Sequence, residues 1–167
     1  CDYYSLFYFR FLKNRNGKDG HFWRNGLDQS SRYAWAGLTF ELLCMDHIPQ
    51  IKCRLGISGV LTEESSWFYK GDENGLPGAQ IDLVLDRRDR VINLCEIKYS
   101  INEHEIDKRE DLSLRNKMEV FRLSTHCKKT IQLTMITTFG IQKNKYSQLI
   151  TSQVVLDDLF RDISEYL

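Results

Sequence analysis

The sequence predicts an α/β fold, a mixed β-sheet core flanked by helices. Three observations carry the prediction. From Ser31 onward apolar residues recur at three- and four-residue intervals, the period of a helix with one buried face. Two apolar runs, Gln80 to Asp86 and Val91 to Tyr99, flank the charged turn Arg87-Arg88-Asp89-Arg90 as the arms of a β-hairpin would. A second helical stretch then separates the hairpin from another β-branched run, the alternation expected where helices cover a sheet.

Taken in order, the chain opens at Cys1 on an aromatic stretch, Asp2 to Leu12, too apolar for a comfortable free terminus. Residues 1–30 are therefore expected to be the tail of, or linker from, a missing upstream domain. Tyr3, Phe7 and Phe11 should pack on the domain, on a second copy or on the absent sequence. Lys13 to Gly20 reads as a solvated loop, rich in Gly, Asn and Asp. The domain proper is expected over 31–167. It begins with a helix whose stripe is Trp35, Leu38, Leu42, Met45 and Ile48, with Glu41 beside it and Pro49 kinking or interrupting it. Ile57 to Tyr69 reads as a strand, Lys70 to Gly78 as a long loop, and the hairpin follows. Glu103 to Leu123 reads as a helix with Leu114, Met118 and Phe121 inward, Thr130 to Phe139 as a strand and Leu156 to Tyr166 as a last helix.

Composition narrows the function. The 167 residues carry 23 basic and 23 acidic side chains, so the molecule as a whole does not attract polyanions and any such partner must meet a local patch. Carboxylates that hold a metal lower net charge while the bound ion restores positive potential locally. Five scattered cysteines without a C-x-x-C pair suggest neither a disulfide framework nor a zinc knuckle, and a reducing, cytoplasmic setting is expected. No apolar run approaches the roughly 18 residues of a membrane span. The four histidines have no spacing that suggests zinc or a triad.

The hairpin concentrates the unusual residues. Strict alternation places Gln80, Asp82, Val84 and Asp86 on one face of the first arm, with Ile81, Leu83 and Leu85 on the other; on the second arm Ile92, Leu94, Glu96 and Lys98 share a face. If Val84 lies opposite Leu94, Asp82 lies opposite Glu96. Like charges directly opposed destabilise a sheet, whereas two neighbouring carboxylates suit a hard cation such as Mg²⁺. Singly, each charge has an ordinary explanation: Lys98 as an ion pair with Glu96, Asp82 as a solvated strand end. Together they point to chemistry.

Gln80-Ile-Asp-Leu-Val-Leu-Asp86 followed by Leu94-Cys-Glu-Ile-Lys-Tyr99 resembles the D…E-x-K signature of PD-(D/E)XK nucleases. That resemblance implies a restriction endonuclease-like core in the order α-β-β-β-α-β, with a further acidic residue on the first helix, here Glu41. Trp35 to Glu41, Gly78 to Leu83 and Asn93 to Lys98 are similar to nuclease-like domains at the C-terminus of bacterial and archaeal AAA+ family ATPases, and the likeness covers about residues 31 to 140. It implies an upstream ATPase and winged-helix region in the same polypeptide.

The same resemblance implies Mg²⁺ or Mn²⁺ held by Asp82 and Glu96, with the Ile97 backbone carbonyl and Glu41 as further ligands, and Lys98 orienting water or stabilising the transition state. Gln80, Lys108 and Arg115 are candidates for substrate contact, the latter two in a stripe continued by Arg122. The expected function is metal-dependent hydrolysis of phosphodiester bonds in nucleic acid, DNA first. The alternative is a catalytically inactive nuclease-fold module that binds a partner or nucleic acid. A homo-oligomer is compatible with either.

Overall fold

The computed structural model describes residues 2–13, 20–25, 29–73 and 75–164, in two compact units, Cys1–Thr39 and Phe40–Leu167. Cys1, most of the expected loop 13–20 and the expected helix end at Tyr166 lie outside the described residues.

In the first unit, α1 (Tyr3–Phe7) starts at Asp2, whose carboxylate accepts from the Tyr4 and Ser5 amides at 3.0 and 3.2 Å. Such a cap satisfies amides that a helix start leaves without partners. The helix runs on as a π-helical turn over Tyr8–Leu12. Phe7 and Phe11 pack against Trp23, on the short α2 (Phe22–Asn25), and against Trp35, with ring centroids 5.3 to 5.6 Å apart. The offset and edge geometries are those aromatic quadrupoles favour. Tyr4 and Phe9 remain exposed.

The second unit opens within α3 (Gln29–Asp46). Here the expected stripe needs correction: Phe40 and Cys44 are the buried residues, and Leu38 is 47% exposed. At about 100° per residue Leu38 and Phe40 sit on nearly opposite sides of the helix, so burying one exposes the other. Pro49 interrupts the helix as expected. It occupies the first turn of α4 (Ile48–Arg54), where its missing N–H has no helical acceptor to lose, and α4 buries Ile51.

Five strands follow in one sheet of order β1-β2-β3-β4-β5: β1 (Thr62–Tyr69), β2 (Ala79–Arg87), β3 (Val91–Lys98), β4 (Thr130–Thr137) and β5 (Ser152–Val155). The β1–β2 and β2–β3 pairs are antiparallel, whereas β3–β4 and β4–β5 are parallel, so the sheet is mixed. The crossover from β3 to β4 is α5 (Lys108–Ser124), capped by Asp107, whose carboxylate accepts from the Glu110 amide at 2.8 Å. Where the last helix is expected to start, a 3₁₀ turn, Leu156–Phe160, follows directly on β5. There Asp158, 2% exposed, accepts from Val155 N–H and from Arg54 Nε of α4, both at 3.0 Å, which ties that segment down without a longer helix. Helices cover both sheet faces. Phe40, Cys44 and Ile51 pack on Leu83, Leu85, Cys95 and Ile97; Leu114 and Phe121 of α5 pack on Val84, Leu94, Leu133 and Met135, with Met118 at the margin. Among the described residues no helix is long and apolar enough to cross a membrane.

Candidate functional site

The hairpin has the register its sequence calls for, Val84 opposite Leu94 and Asp86 opposite Ile92. The loop 88–90 closes it with Arg90 in the left-handed region, φ 68°, as in hairpin loops that end on one such residue. Strict alternation, however, fails at the residue that matters most. On the other side of β2, Ser65 pairs with Val84 but Trp67 pairs with Ile81, so Asp82 and Leu83 together stand opposite Ser66. This is a β-bulge, which bends a strand and re-aims its side chains. Ile81, expected on the face of Leu83 and Leu85, packs instead with Val84 in the core under α5.

Beyond Leu83–Cys95, the last β2–β3 pair described, Asp82 takes over from the ladder. Its Oδ2 accepts the Ile97 backbone N–H at 2.9 Å. Desolvation raises the Asp82 carboxyl above the usual range; the Ile97 amide opposes this, the Glu96 charge adds to it, and Lys98 and Lys117 offset part.

Glu96 is 5% exposed, beside the fully buried Met135 of β4. A carboxylate so placed needs cations. Lys98 Nζ lies 2.8 Å from Oε1, and Lys117 Nζ, reaching over from α5, lies 2.7 Å from Oε1 and 2.6 Å from Oε2. Desolvation works to lower the Lys98 ammonium, but the charge and hydrogen bond of Glu96, with Asp82 and Glu110 farther off, hold it above the ordinary lysine value. Glu41 is exposed on α3, yet partial desolvation and then the charges of Asp82 and Glu96 raise its carboxyl, with Lys98 opposing. The three acids thus sense one another electrostatically. Among the described residues, no three His, Cys, Asp or Glu side chains are gathered tightly enough to form a metal-ligand set by themselves.

The other candidates are placed as follows. Gln80 is exposed at the start of β2. Lys108 and Arg115 are exposed on α5, and Arg115 is held by Asp111 one turn earlier, its Nε 3.1 Å from each carboxylate oxygen. His104, given no role by its spacing, meets Glu110 at 2.9 Å and so orders a carboxylate near Lys98. The residue that sequence reasoning missed is Lys117. Its signal was present: it lies three residues after Leu114 and four before Phe121, a lysine on the buried stripe of an amphipathic helix.

The fold and site define an α/β domain with a half-buried carboxylate beside a buried carboxylate held by two lysines, at the open end of the β2–β3 hairpin. No protein-family model and no curated protein matches the chain. A solved structure described as "Protein of Unknown Function AF1548" is similar at 16% identity and a TM-score of 0.45. The likeness covers 67% of this chain but 56% of that one, so the present chain spans little more than half its length.

Proposed function

We propose that the second unit is a PD-(D/E)XK nuclease-like domain, restriction endonuclease-like in its core, that hydrolyses phosphodiester bonds in nucleic acid, DNA first, with a divalent metal. The observation that carries this reading is the Asp82 carboxylate, drawn by the Ile97 amide to the strand that bears Glu96 and Lys98. Asp82, Glu96, the Ile97 carbonyl and Glu41 are hard oxygen donors of the kind Mg²⁺ or Mn²⁺ prefers. Burial, and after it the neighbouring acid charges, raises the carboxyls of Asp82 and Glu41, and a bound cation would relieve both. The metal would polarise the scissile phosphate and acidify a water. Asp82 and Glu96 would hold it; Lys98, half exposed and fixed by Glu96, would orient the attacking water or meet the charge that develops on phosphorus. An upstream ATPase and winged-helix region in the same polypeptide belongs to this proposal.

One observation favours a second reading, a nuclease fold retained for binding without catalysis. Both Glu96 oxygens are already met by ammonium groups, so that carboxylate is neutralised without metal. Incubating the chain with single-stranded, duplex and branched DNA in Mg²⁺ or Mn²⁺ separates the two. Cutting by wild type but not by Lys98→Met supports the nuclease; metal-independent binding without cutting supports the module.

A further inference from the structure

We propose that the groove between the start of β2 and α5 binds a sugar–phosphate strand and that Lys117 joins this groove to Glu96. The inference rests on the nuclease reading, for it makes the groove the path by which a strand reaches Asp82 and Glu96.

The groove encloses about 480 Å³, within the range of sites that take a nucleotide-sized ligand. Gln80 lines it from β2, and Arg109, Ser113, Asn116 and Lys117 line it from α5. The helix residues fall at i, i+4, i+7 and i+8, one face of the helix. This face lies beside the Lys108–Arg115–Arg122 stripe suggested by seven-residue spacing, and neither Lys108 nor Arg115 lines the groove.

Charge selects the ligand. The chain is neutral overall, yet among the described residues that line this groove there are two cations and no carboxylate. A second groove, of about 660 Å³ beside Trp67 and Phe121, sets Glu63, Glu64 and Asp86 against its lysines and offers no such field. Arg109 and Lys117 suit phosphate oxygens, while Ser113, Asn116 and Gln80 donate to phosphate or sugar without reading sequence.

Lys117 belongs to both places. Its ammonium holds Glu96, and its side chain, 22% exposed, lines the groove. Lys98 also holds Glu96, so that carboxylate keeps an ion-pair partner when Lys117 leaves it. An arriving phosphate therefore competes with Glu96 for Lys117, and its binding frees an oxygen of Glu96.

Fluorescence anisotropy with labelled single-stranded DNA and RNA oligonucleotides, in EDTA and over a range of salt, tests the inference. Arg109→Ala and Lys117→Met are each expected to weaken binding about tenfold and to make the log–log salt dependence shallower by about 0.7, the single-strand value per phosphate contact. Lys128→Ala, in the second groove, serves as the control. DNA and RNA binding alike, or either alone, supports the proposal when it depends on Arg109 and Lys117. Wild-type affinity in both variants, or an equal loss in the control, overturns it, and melting curves establish that each variant is folded. Should Lys117→Met not fold, Arg109→Ala alone decides. A protein that binds through these residues but takes up no divalent ion and cuts nothing keeps this inference and loses the nuclease. One that cuts while both variants bind normally does the reverse.

Discussion

Replacing Lys117 by methionine is expected to destabilise the fold and, at the same time, to tighten divalent-cation binding. Breaking a buried ion pair so that one charge is left alone costs about 3–5 kcal/mol. Here Lys98 remains 2.8 Å from Glu96, so the loss falls toward that of one hydrogen bond to a charged group, about 2 kcal/mol. For a chain of 167 residues this corresponds to a melting temperature lower by about 4–8 °C. The same interaction opposes a cation that must share Glu96. If the ion displaces Lys117, wild type forfeits about 2 kcal/mol on binding and the variant does not, a gain of about 30-fold in affinity. Thermal melts without metal and isothermal titration with Mn²⁺ read the two effects separately. A melting temperature within about 1 °C of wild type, the scale of an exposed substitution, would refute the buried pair. Unchanged or weaker Mn²⁺ binding in a stable variant would refute the competition.

Three further outcomes follow from the same geometry. Because the Asp82 carboxyl is raised on folding, its charged form is penalised above the folded value and not below the unfolded one; Asp82→Asn, which keeps an acceptor for Ile97 N–H, should gain on wild type in metal-free melts as pH rises from 4 to 7. A gap that is constant with pH would contradict this. Leu85→Ala removes a fully buried side chain between the sheet and the α3–α4 layer and should lower stability by about 3 kcal/mol in urea unfolding. Burial pushes the Cys44 and Cys95 thiols up to about 12, so maleimide at pH 7.5 with peptide mapping should label Cys53 and Cys127 before Cys44 and Cys95; early modification of Cys95 would count against a closed core.

How legible the molecule was in its sequence depended on whether each signal was local. The hairpin was readable because its two runs and charged turn fix a register within a short stretch, and Pro49 announced the break between α3 and α4. The bulge at Asp82–Leu83 was not, because no Gly or Pro marks it and it arises from the facing of β2 against Ser66 of β1, across the loop that joins them. The stripe of α3 was misread because which side of an apolar helix is buried depends on where the sheet lies, and Leu38 and Phe40 are equally apolar. β5 has only four residues, Ser152–Val155, too few for an alternation to show. Lys117 shows the same limit in the site: its spacing from Leu114 and Phe121 is a local signal, but only β3 explains what it meets.

The most direct test of the account is calorimetric titration of Mn²⁺ into wild type, Glu96→Gln and Lys98→Met, paired with a gel assay for cutting. Wild type is expected to bind the ion, Glu96→Gln to bind it at least tenfold more weakly, about 1.4 kcal/mol or more, and Lys98→Met to bind it with near-wild-type affinity and cut nothing. Lysine would then be acting on charge present only in the transition state. Failure of wild type to bind any divalent ion, with or without nucleic acid, would contradict the metal-dependent nuclease and leave the binding module in its place.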